Sequence, residues 1–69
     1  MMLRLTVNGS EQNWPADEAT VAQVVRHLNL EGKRIAIELN GEVVPKSRYP
    51  ATRLRSGDQL EVIAAVGGG

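Results

Sequence analysis

Two Asn-Gly pairs, at positions 8–9 and 40–41, restrict the folds open to this chain more than any other feature of its sequence. Each pair follows a segment in which apolar and polar residues alternate, as in a half-buried strand. Asn-Gly accepts positive φ at both central positions of a turn, which a two-residue β-hairpin requires. We therefore predict two hairpins, MMLRLTV with SEQNW and RIAIEL with EVV, and expect Trp14 to lie opposite Leu3.

Between the hairpins, the segment PADEATVAQVVRHLNLEGK has the pattern of one amphipathic helix. Thr20 and Gln23 fit a capping box, in which each side chain accepts a hydrogen bond from a free backbone N–H of the first turn. Apolar residues then follow at i, i+3, i+4 and i+7, which places them on one stripe: Val21, Val24, Val25 and Leu28. Gly32 is the predicted end signal of the helix. We predict a helix over about 21–30.

The segment QLEVIAAV, close to the carboxyl terminus, is apolar on both faces of a predicted strand. Leu60, Val62 and Ala64 point to one side, and Ile63 and Ala65 point to the other. A strand with apolar residues on both faces is typically a central strand. We therefore place it in the middle of the sheet, parallel to the first strand, with the helix packed over the side chains of the first group.

The order of elements is hairpin, helix, hairpin, irregular segment and strand. Pro45 cannot donate to a ladder, so the return of the second hairpin is predicted to be short and at an edge. Leu54 is the expected inward anchor of the irregular segment. This order predicts an α+β protein with the β-grasp (ubiquitin-like) fold, in which four to five strands form a mixed sheet and the first and last are parallel and central. We divide the chain into a domain, 1–66, and a flexible glycine tail, 67–69.

Composition excludes several classes of function. Eight basic and eight acidic side chains give a net charge of zero, which argues against nucleic acid or an anionic membrane as a partner. The absence of cysteine is typical of an intracellular protein, here expected in the cytoplasm. We expect neither a signal peptide nor a transmembrane segment. His27, the only histidine, is expected to be a solvated helix residue, and no motif predicts a catalytic, cofactor or metal site within this small chain.

The chain ends on AAVGGG, directly after the predicted central strand. A cloning remnant or a frayed end without function would be the simplest explanations. However, four extended residues from Val66 to Gly69 would reach about 13–14 Å from the body of the protein. Glycine has no Cβ, so this segment could thread a narrow channel in another protein. A terminal carboxylate becomes reactive once it is activated, for example as an acyl adenylate.

Four stretches of the chain carry a specific resemblance: VNG, ATVAQVVRHLNL, IAIELNGEVVPKSRY and LRSGDQLEVIAAVGGG. Together they cover almost the whole chain, and ELNGEVVP and GDQLEVIAAVGGG are the most specific parts. In these stretches the chain resembles the sulfur carrier proteins of thiamine biosynthesis, which are bacterial ubiquitin-like proteins. The resemblance implies a carrier rather than an enzyme, monomeric when free, which binds no cofactor or metal of its own.

The resemblance also implies a mechanism. An adenylyltransferase similar to ubiquitin-activating enzymes would use ATP and Mg²⁺ to adenylate the carboxylate of Gly69. A sulfur relay fed by a cysteine desulfurase would then replace AMP and leave a thiocarboxylate. Val66, Gly67 and Gly68 would form the threaded neck, and the carrier would dock on thiazole synthase to deliver its sulfur.

Two surfaces are candidates for partner binding. Ile63 and Ala65 would lie on the face opposite the helix, flanked by Arg4 and Thr6 on the neighbouring strand. One interpretation is that a central strand tolerates these apolar residues on its solvent-exposed face. The other is that the patch is the binding site for the activating enzyme and the synthase. The irregular segment carries a cluster of basic side chains that is either a solvated loop or a rim for an acidic partner: Lys46, Arg48, Arg53 and Arg55.

Two other interpretations stay open at this point. The small subunit of molybdopterin synthase is another β-grasp carrier with the same terminal chemistry, although its chains tend to be longer. A non-reactive β-grasp interaction module, of the kind fused to synthetases, would not need a free Gly-Gly end. Finding sulfur in place of oxygen at the terminus would exclude the module.

Overall fold

The computed structural model describes residues 2–64 of the chain. Five strands, one α-helix and one 3-10 helix follow in this order: β1 (Leu3–Val7), β2 (Ser10–Trp14), α1 (Val21–His27), β3 (Ile35–Leu39), β4 (Glu42–Val44), the 3-10 helix (Lys46–Ala51) and β5 (Gln59–Ala64). The strands form one sheet in the order β2-β1-β5-β3-β4. β1 and β5 are parallel and the other neighbours are antiparallel. The predicted β-grasp fold, with a central last strand, is confirmed.

Both predicted hairpins form at the Asn-Gly pairs. The φ angles are 50° and 81° at Asn8 and Gly9, and 51° and 88° at Asn40 and Gly41. Positive φ at both central positions is the geometry of a type I′ turn, which matches the twist of the flanking strands. The register of the first hairpin pairs Leu3 with Trp14, as the sequence predicts.

The helix begins where the sequence predicts and ends earlier. The N–H of Gln23 donates to Thr20 Oγ1 at 3.2 Å and the N–H of Thr20 donates to Gln23 Oε1 at 2.8 Å, which completes the capping box. The prediction of a helix to residue 30 with a stop at Gly32 is wrong. Asn29 has a φ of 60°, and the N–H of Leu30 donates to the carbonyl of Val25 at 2.9 Å. These are features of a Schellman ending, for which Asn is the usual substitute for glycine.

One face of the sheet packs against α1 and the segment after β4. The buried side chains come from the strands, the helix and the irregular segment: Leu3, Leu5, Val7, Ala19, Val21, Val24, Val25, Ile37, Val44, Tyr49, Leu54 and Leu60. Two backbone hydrogen bonds attach the irregular segment to the start of α1, from Val21 N–H to Thr52 O at 3.0 Å and from Leu54 N–H to Ala19 O at 2.8 Å. Leu54 is therefore the inward anchor that the sequence predicts, and burying such a side chain contributes about 1.5–3 kcal/mol.

His27 is exposed on the last turn of α1, as expected, but it is not free of contacts. Its ring lies edge-to-face against the ring of Trp14, with centroids 5.3 Å apart and an interplanar angle of 76°. Pairs of this geometry contribute about 0.5–1.5 kcal/mol beyond the burial of their surface. The contact joins the end of α1 to edge strand β2, so His27 has a structural role in the described part of the chain.

Candidate functional site

Strand β5 leads towards the glycine tail, and its position is held from both sides. Leu60 pairs with Val7 of β1 and with Leu39 of β3, and it is only 2% exposed. The pairing with β3 continues to the end of the strand, where Ala64 lies opposite Ile35. Residues 65–69 lie outside the described residues, so the roles predicted for Ala65, Val66, Gly67, Gly68 and Gly69 remain predictions.

The two hairpin asparagines also hold β5 in place. Beyond the end of β1, the side-chain oxygen Oδ1 of Asn8 accepts a hydrogen bond from the N–H of Val62 at 2.7 Å. On the other side, Oδ1 of Asn40 accepts from the N–H of Gln59 at 2.9 Å, and its Nδ2 donates to Asp58 Oδ1 at 3.0 Å. Each asparagine therefore combines the positive φ of a turn with a hydrogen bond to the central strand. Sequence reasoning missed the second part, because a turn signal says nothing about which strand lies beside it.

The sheet face opposite α1, here the open face, carries the predicted docking residue Ile63. Ile63 is 45% exposed and lies opposite Ala36 of β3. The prediction that Arg4 and Thr6 flank it is wrong. Thr6 pairs with Gln59, and β1 ends at the level of Leu60, so Ile63 extends past that strand. The alternation of inward and outward side chains along β5 was sufficient to assign Ile63 to the open face. Which residues flank Ile63 depended on the register of β5 with β1.

The open face beside Ile63 is formed by β3 and β4 instead. Val43 of β4 is 66% exposed and lies opposite Glu38 of β3, which in turn lies opposite Glu61 of β5. Sequence reasoning did not single out Val43, because the run Val43-Val44 does not indicate which valine points inward. The register gives that role to Val44, which is 9% exposed and pairs with Ile37.

The open face also has an unfavourable charge arrangement. Glu38 and Glu61 are directly opposed on adjacent strands, and like charges in that position destabilise a sheet. Within residues 2–64 the ion pairs join Arg26 to Glu31 and Arg53 to Glu18, so neither carboxylate of the opposed pair is neutralised there. Two apolar side chains and two opposed carboxylates therefore share one accessible surface.

The predicted basic cluster of the irregular segment is not one surface. Lys46 lines a cleft beside α1, and Arg48 lines a separate depression beside β4. The guanidinium Nη1 of Arg53 lies 3.7 Å from Glu18 Oε1. The backbone N–H of Arg55 donates to Asp58 Oδ2 at 2.7 Å, which closes the turn before β5. The four residues thus face different neighbours.

Over residues 2–64, no three side chains of the metal-binding types His, Cys, Asp and Glu are grouped so that they could hold a metal ion. In the same part of the chain, no helix has the length and apolar character needed to cross a membrane.

The fold and the central strand agree with known proteins of similar sequence. The crystal structure of a thiamine biosynthesis protein, ThiS, from Geobacter metallireducens superimposes with a TM-score of 0.85 at 32% identity, covering 97% of this chain and 100% of that one. The sulfur carrier protein ThiS of Bacillus subtilis is 34% identical over 65 residues, which are 94% of this chain and 98% of that protein.

A different type of relative is much longer than this chain. A thiazole synthase of Paramagnetospirillum magneticum is 39% identical over 67 residues, which are 97% of this chain but only 20% of that protein. The model of the ThiS family matches residues 3–69. The resemblance identified from sequence motifs is thereby confirmed, and the chain belongs to the ThiS family.

Proposed function

We propose that this protein is a sulfur carrier for thiamine biosynthesis. The carboxylate of Gly69 attacks the α-phosphate of ATP on an activating enzyme, giving an acyl adenylate and pyrophosphate. Sulfide sulfur, released from the relay by a thiol reductant, then displaces AMP and leaves a thiocarboxylate, which donates sulfur to the thiazole ring. The carboxylate is a poor electrophile, and adenylation provides the leaving group that it lacks. The protein is a substrate of its partner enzymes and performs no catalysis of its own.

The observation that carries this proposal is the match of residues 3–69 to the ThiS family, a match that includes the glycine run. The arrangement of β5 is compatible with it. Because β5 pairs with β1 at its start and with β3 as far as Ala64, the point from which the chain continues towards Gly69 has a defined position on the body. A partner that binds the body could therefore direct the last residues into its own active site.

The partners we propose are an adenylyltransferase similar to ubiquitin-activating enzymes, a sulfur relay fed by a cysteine desulfurase, and thiazole synthase. ATP and Mg²⁺ would be used by the activating partner. Support for thiazole synthase comes from the relative in Paramagnetospirillum magneticum, in which a segment similar to this chain occupies about a fifth of a longer protein of that name. A shared chain keeps two segments at high effective concentration, as expected of a carrier and the enzyme it supplies.

We propose that partners dock on the open face through Ile63, Val43 and the carboxylates of Glu38 and Glu61, and that Ala65, which lies outside the described residues, is a further contact. The complementary partner surface would present an apolar pocket beside a lysine or arginine. That cation would relieve the repulsion between the two carboxylates, which no described side chain of this protein neutralises. Docking would therefore remove an electrostatic repulsion that destabilises the free sheet.

Mass spectrometry of the intact protein tests the chemistry. Purified chain would be incubated with the activating enzyme, ATP, Mg²⁺ and a sulfide source, and the product should carry sulfur in place of one carboxylate oxygen on Gly69. A variant extended beyond Gly69 by a short peptide is the matched control, and it should keep its fold and remain unmodified. Modification of the extended variant, or none of the native chain, would contradict the proposal.

The docking proposal has its own test. Ile63→Asp and Val43→Asp should each weaken binding of the activating enzyme or thiazole synthase by at least about 1 kcal/mol in calorimetry, the size of a weak hot spot. Met2→Asp is the control, because Met2 is 60% exposed but precedes β1 at the opposite end of that strand from Ile63. Equal affinities for all three variants would contradict docking at this face.

A further inference from the structure

A cleft of about 240 Å³ lies on the helix side of the sheet, away from the open face. It is formed by α1, the loop that follows, the start of β3 and the 3-10 helix. Its lining residues are Ala22, Val25, Leu30, Glu31, Gly32, Lys33, Ile35, Lys46 and Tyr49. Ile35 pairs with Ala64, the last described residue of β5. The cleft therefore opens at the end of the sheet from which the chain continues towards Gly69.

The cleft combines an apolar floor with a positive rim. Aliphatic side chains and one aromatic ring form the floor, while Lys33 and Lys46 are exposed at the rim. The only acidic residue in the lining, Glu31, is engaged by Arg26, whose Nε lies 3.4 Å from Glu31 Oε2. Neither lysine is paired with a carboxylate in the described part of the chain. The cleft therefore presents two uncompensated positive charges beside apolar surface, which complements an apolar group with a neighbouring carboxylate.

Tyr49 adds a hydrogen-bond donor to the lining of the cleft. Its side chain lines the cleft and is more than nine-tenths buried, with 7% of its surface exposed. No residue in 2–64 makes a hydrogen bond with its hydroxyl, yet no fully enclosed side-chain oxygen in that range lacks a partner. The hydroxyl is therefore in contact with solvent, and it belongs to a side chain that lines the cleft. Burial raises the pKa of Tyr49, so the hydroxyl stays protonated and able to donate to an acceptor on a ligand.

The size of the cleft favours one side chain over a free small molecule. Small-molecule sites usually have volumes of about 300–1,000 Å³ and enclose most of their ligand. We propose that the cleft binds an acidic peptide segment of a protein partner, with one bulky apolar side chain on the floor, a flanking carboxylate at Lys33 and Lys46, and an acceptor at the Tyr49 hydroxyl.

This surface and the open face lie on opposite sides of the sheet, so both can be occupied at once. A protein bound in the cleft would then be positioned near the end of β5 while another holds the sheet. Binding in the cleft does not require sulfur chemistry at Gly69.

The test is a titration of ¹⁵N-labelled full-length protein with short blocked peptides, followed by amide chemical shifts. Acetyl-Glu-Leu-Asp-amide is the probe. Acetyl-Lys-Leu-Lys-amide removes the charge match, and acetyl-Glu-Ser-Asp-amide removes the apolar side chain. The probe should bind weakly, with a Kd on the order of 1 mM, and should shift the amides of residues 30–35 and of Val25 and Tyr49. The two other peptides should bind at least tenfold more weakly.

Variants locate the binding to the cleft. The double variant Lys33→Glu, Lys46→Glu should bind the acidic probe at least tenfold more weakly. Arg4→Glu, on the open face, should not change this affinity. Ala22→Leu keeps a good helix former and fills the cleft, so binding should be lost with the thermal melt retained. Tyr49→Phe should weaken binding about two- to tenfold, the effect of one hydrogen bond.

Several outcomes would overturn the proposal. Equal binding of the acidic and basic peptides would exclude the charge match, and shifts confined to the open face would exclude the cleft. Saturation by octanoate with no binding of the acidic peptide would reassign the site to a small amphipathic carboxylate. No shift with any peptide at the highest soluble concentration would also refute it, and this result would leave adenylation of Gly69 unaffected.

Discussion

Asn8 provides the sharpest test of how the central strand is held. It occupies a positive-φ position, at 50°, and its Oδ1 accepts the N–H of Val62 at 2.7 Å. Asn8→Gly keeps the turn geometry and removes only the acceptor. An intramolecular hydrogen bond contributes about 0.5–1.5 kcal/mol net. Glycine relieves the left-handed strain but has a larger unfolded-state entropy, and these two terms oppose each other. We therefore expect Asn8→Gly to destabilise the protein by about 1 kcal/mol.

Two measurements check this value. Thermal unfolding should show a decrease in Tm of roughly 4–8 °C, the shift that 1 kcal/mol produces in a domain of this size. Hydrogen exchange should show that the protection factor of the Val62 amide decreases about fivefold, because about 1 kcal/mol corresponds to that change in an equilibrium constant.

Matched variants separate the hydrogen bond from the turn. Asn8→Asp retains both an acceptor oxygen and tolerance of positive φ, so its Tm should stay close to that of the native protein. Asn40→Gly removes the equivalent bond at the other end of β5, so it should release the amide of Gln59 instead. If Asn8→Gly and Asn8→Asp melt together and the exchange of Val62 is unchanged, the bond does not hold the strand and the reasoning is refuted.

Four further predictions follow from the same structure and proposals. Gly68→Val should leave the melt unchanged and sharply reduce pyrophosphate exchange by the activating enzyme, and an unchanged rate would mean that the neck is not threaded closely. Ile63→Asp should cost little stability, since the side chain is 45% exposed, and a large drop in Tm would assign it to the core. Glu38→Gln should stabilise the free protein by a few tenths of a kcal/mol by removing the repulsion with Glu61, yet weaken partner binding; both effects should shrink in high salt. The absorbance of Tyr49 should titrate above its ordinary pKa of 10.0, and stability should fall as pH rises past that value because the unfolded chain loses the proton first.

Local patterns in the sequence were sufficient for the elements and for their arrangement into a β-grasp. The Asn-Gly pairs specified both hairpins because their conformational preference acts within two residues. The capping box at Thr20 and Gln23 located the start of α1 for the same reason. The two-sided apolar pattern of residues 59–66 predicted a central strand, and β5 is central, although it buries only one of its faces: Leu60 is buried and Ile63 is exposed. The glycine run and the flanking motifs indicated the family.

Tertiary structure decided which surfaces these elements create together. Ile63 does not lie beside Arg4, because the parallel register of β5 with β1 is set by hydrogen bonds between residues that are distant in the sequence. The antiparallel register of β5 with β3 places Ile63 opposite Ala36 and Glu61 opposite Glu38. The cleft gathers side chains from α1, β3 and the 3-10 helix, which no spacing along the chain relates. The side of the sheet to which a side chain points follows from the residues next to it in the sequence, so the strands were predictable. The side chains that it contacts on other elements follow from long-range packing, so the binding surfaces were not.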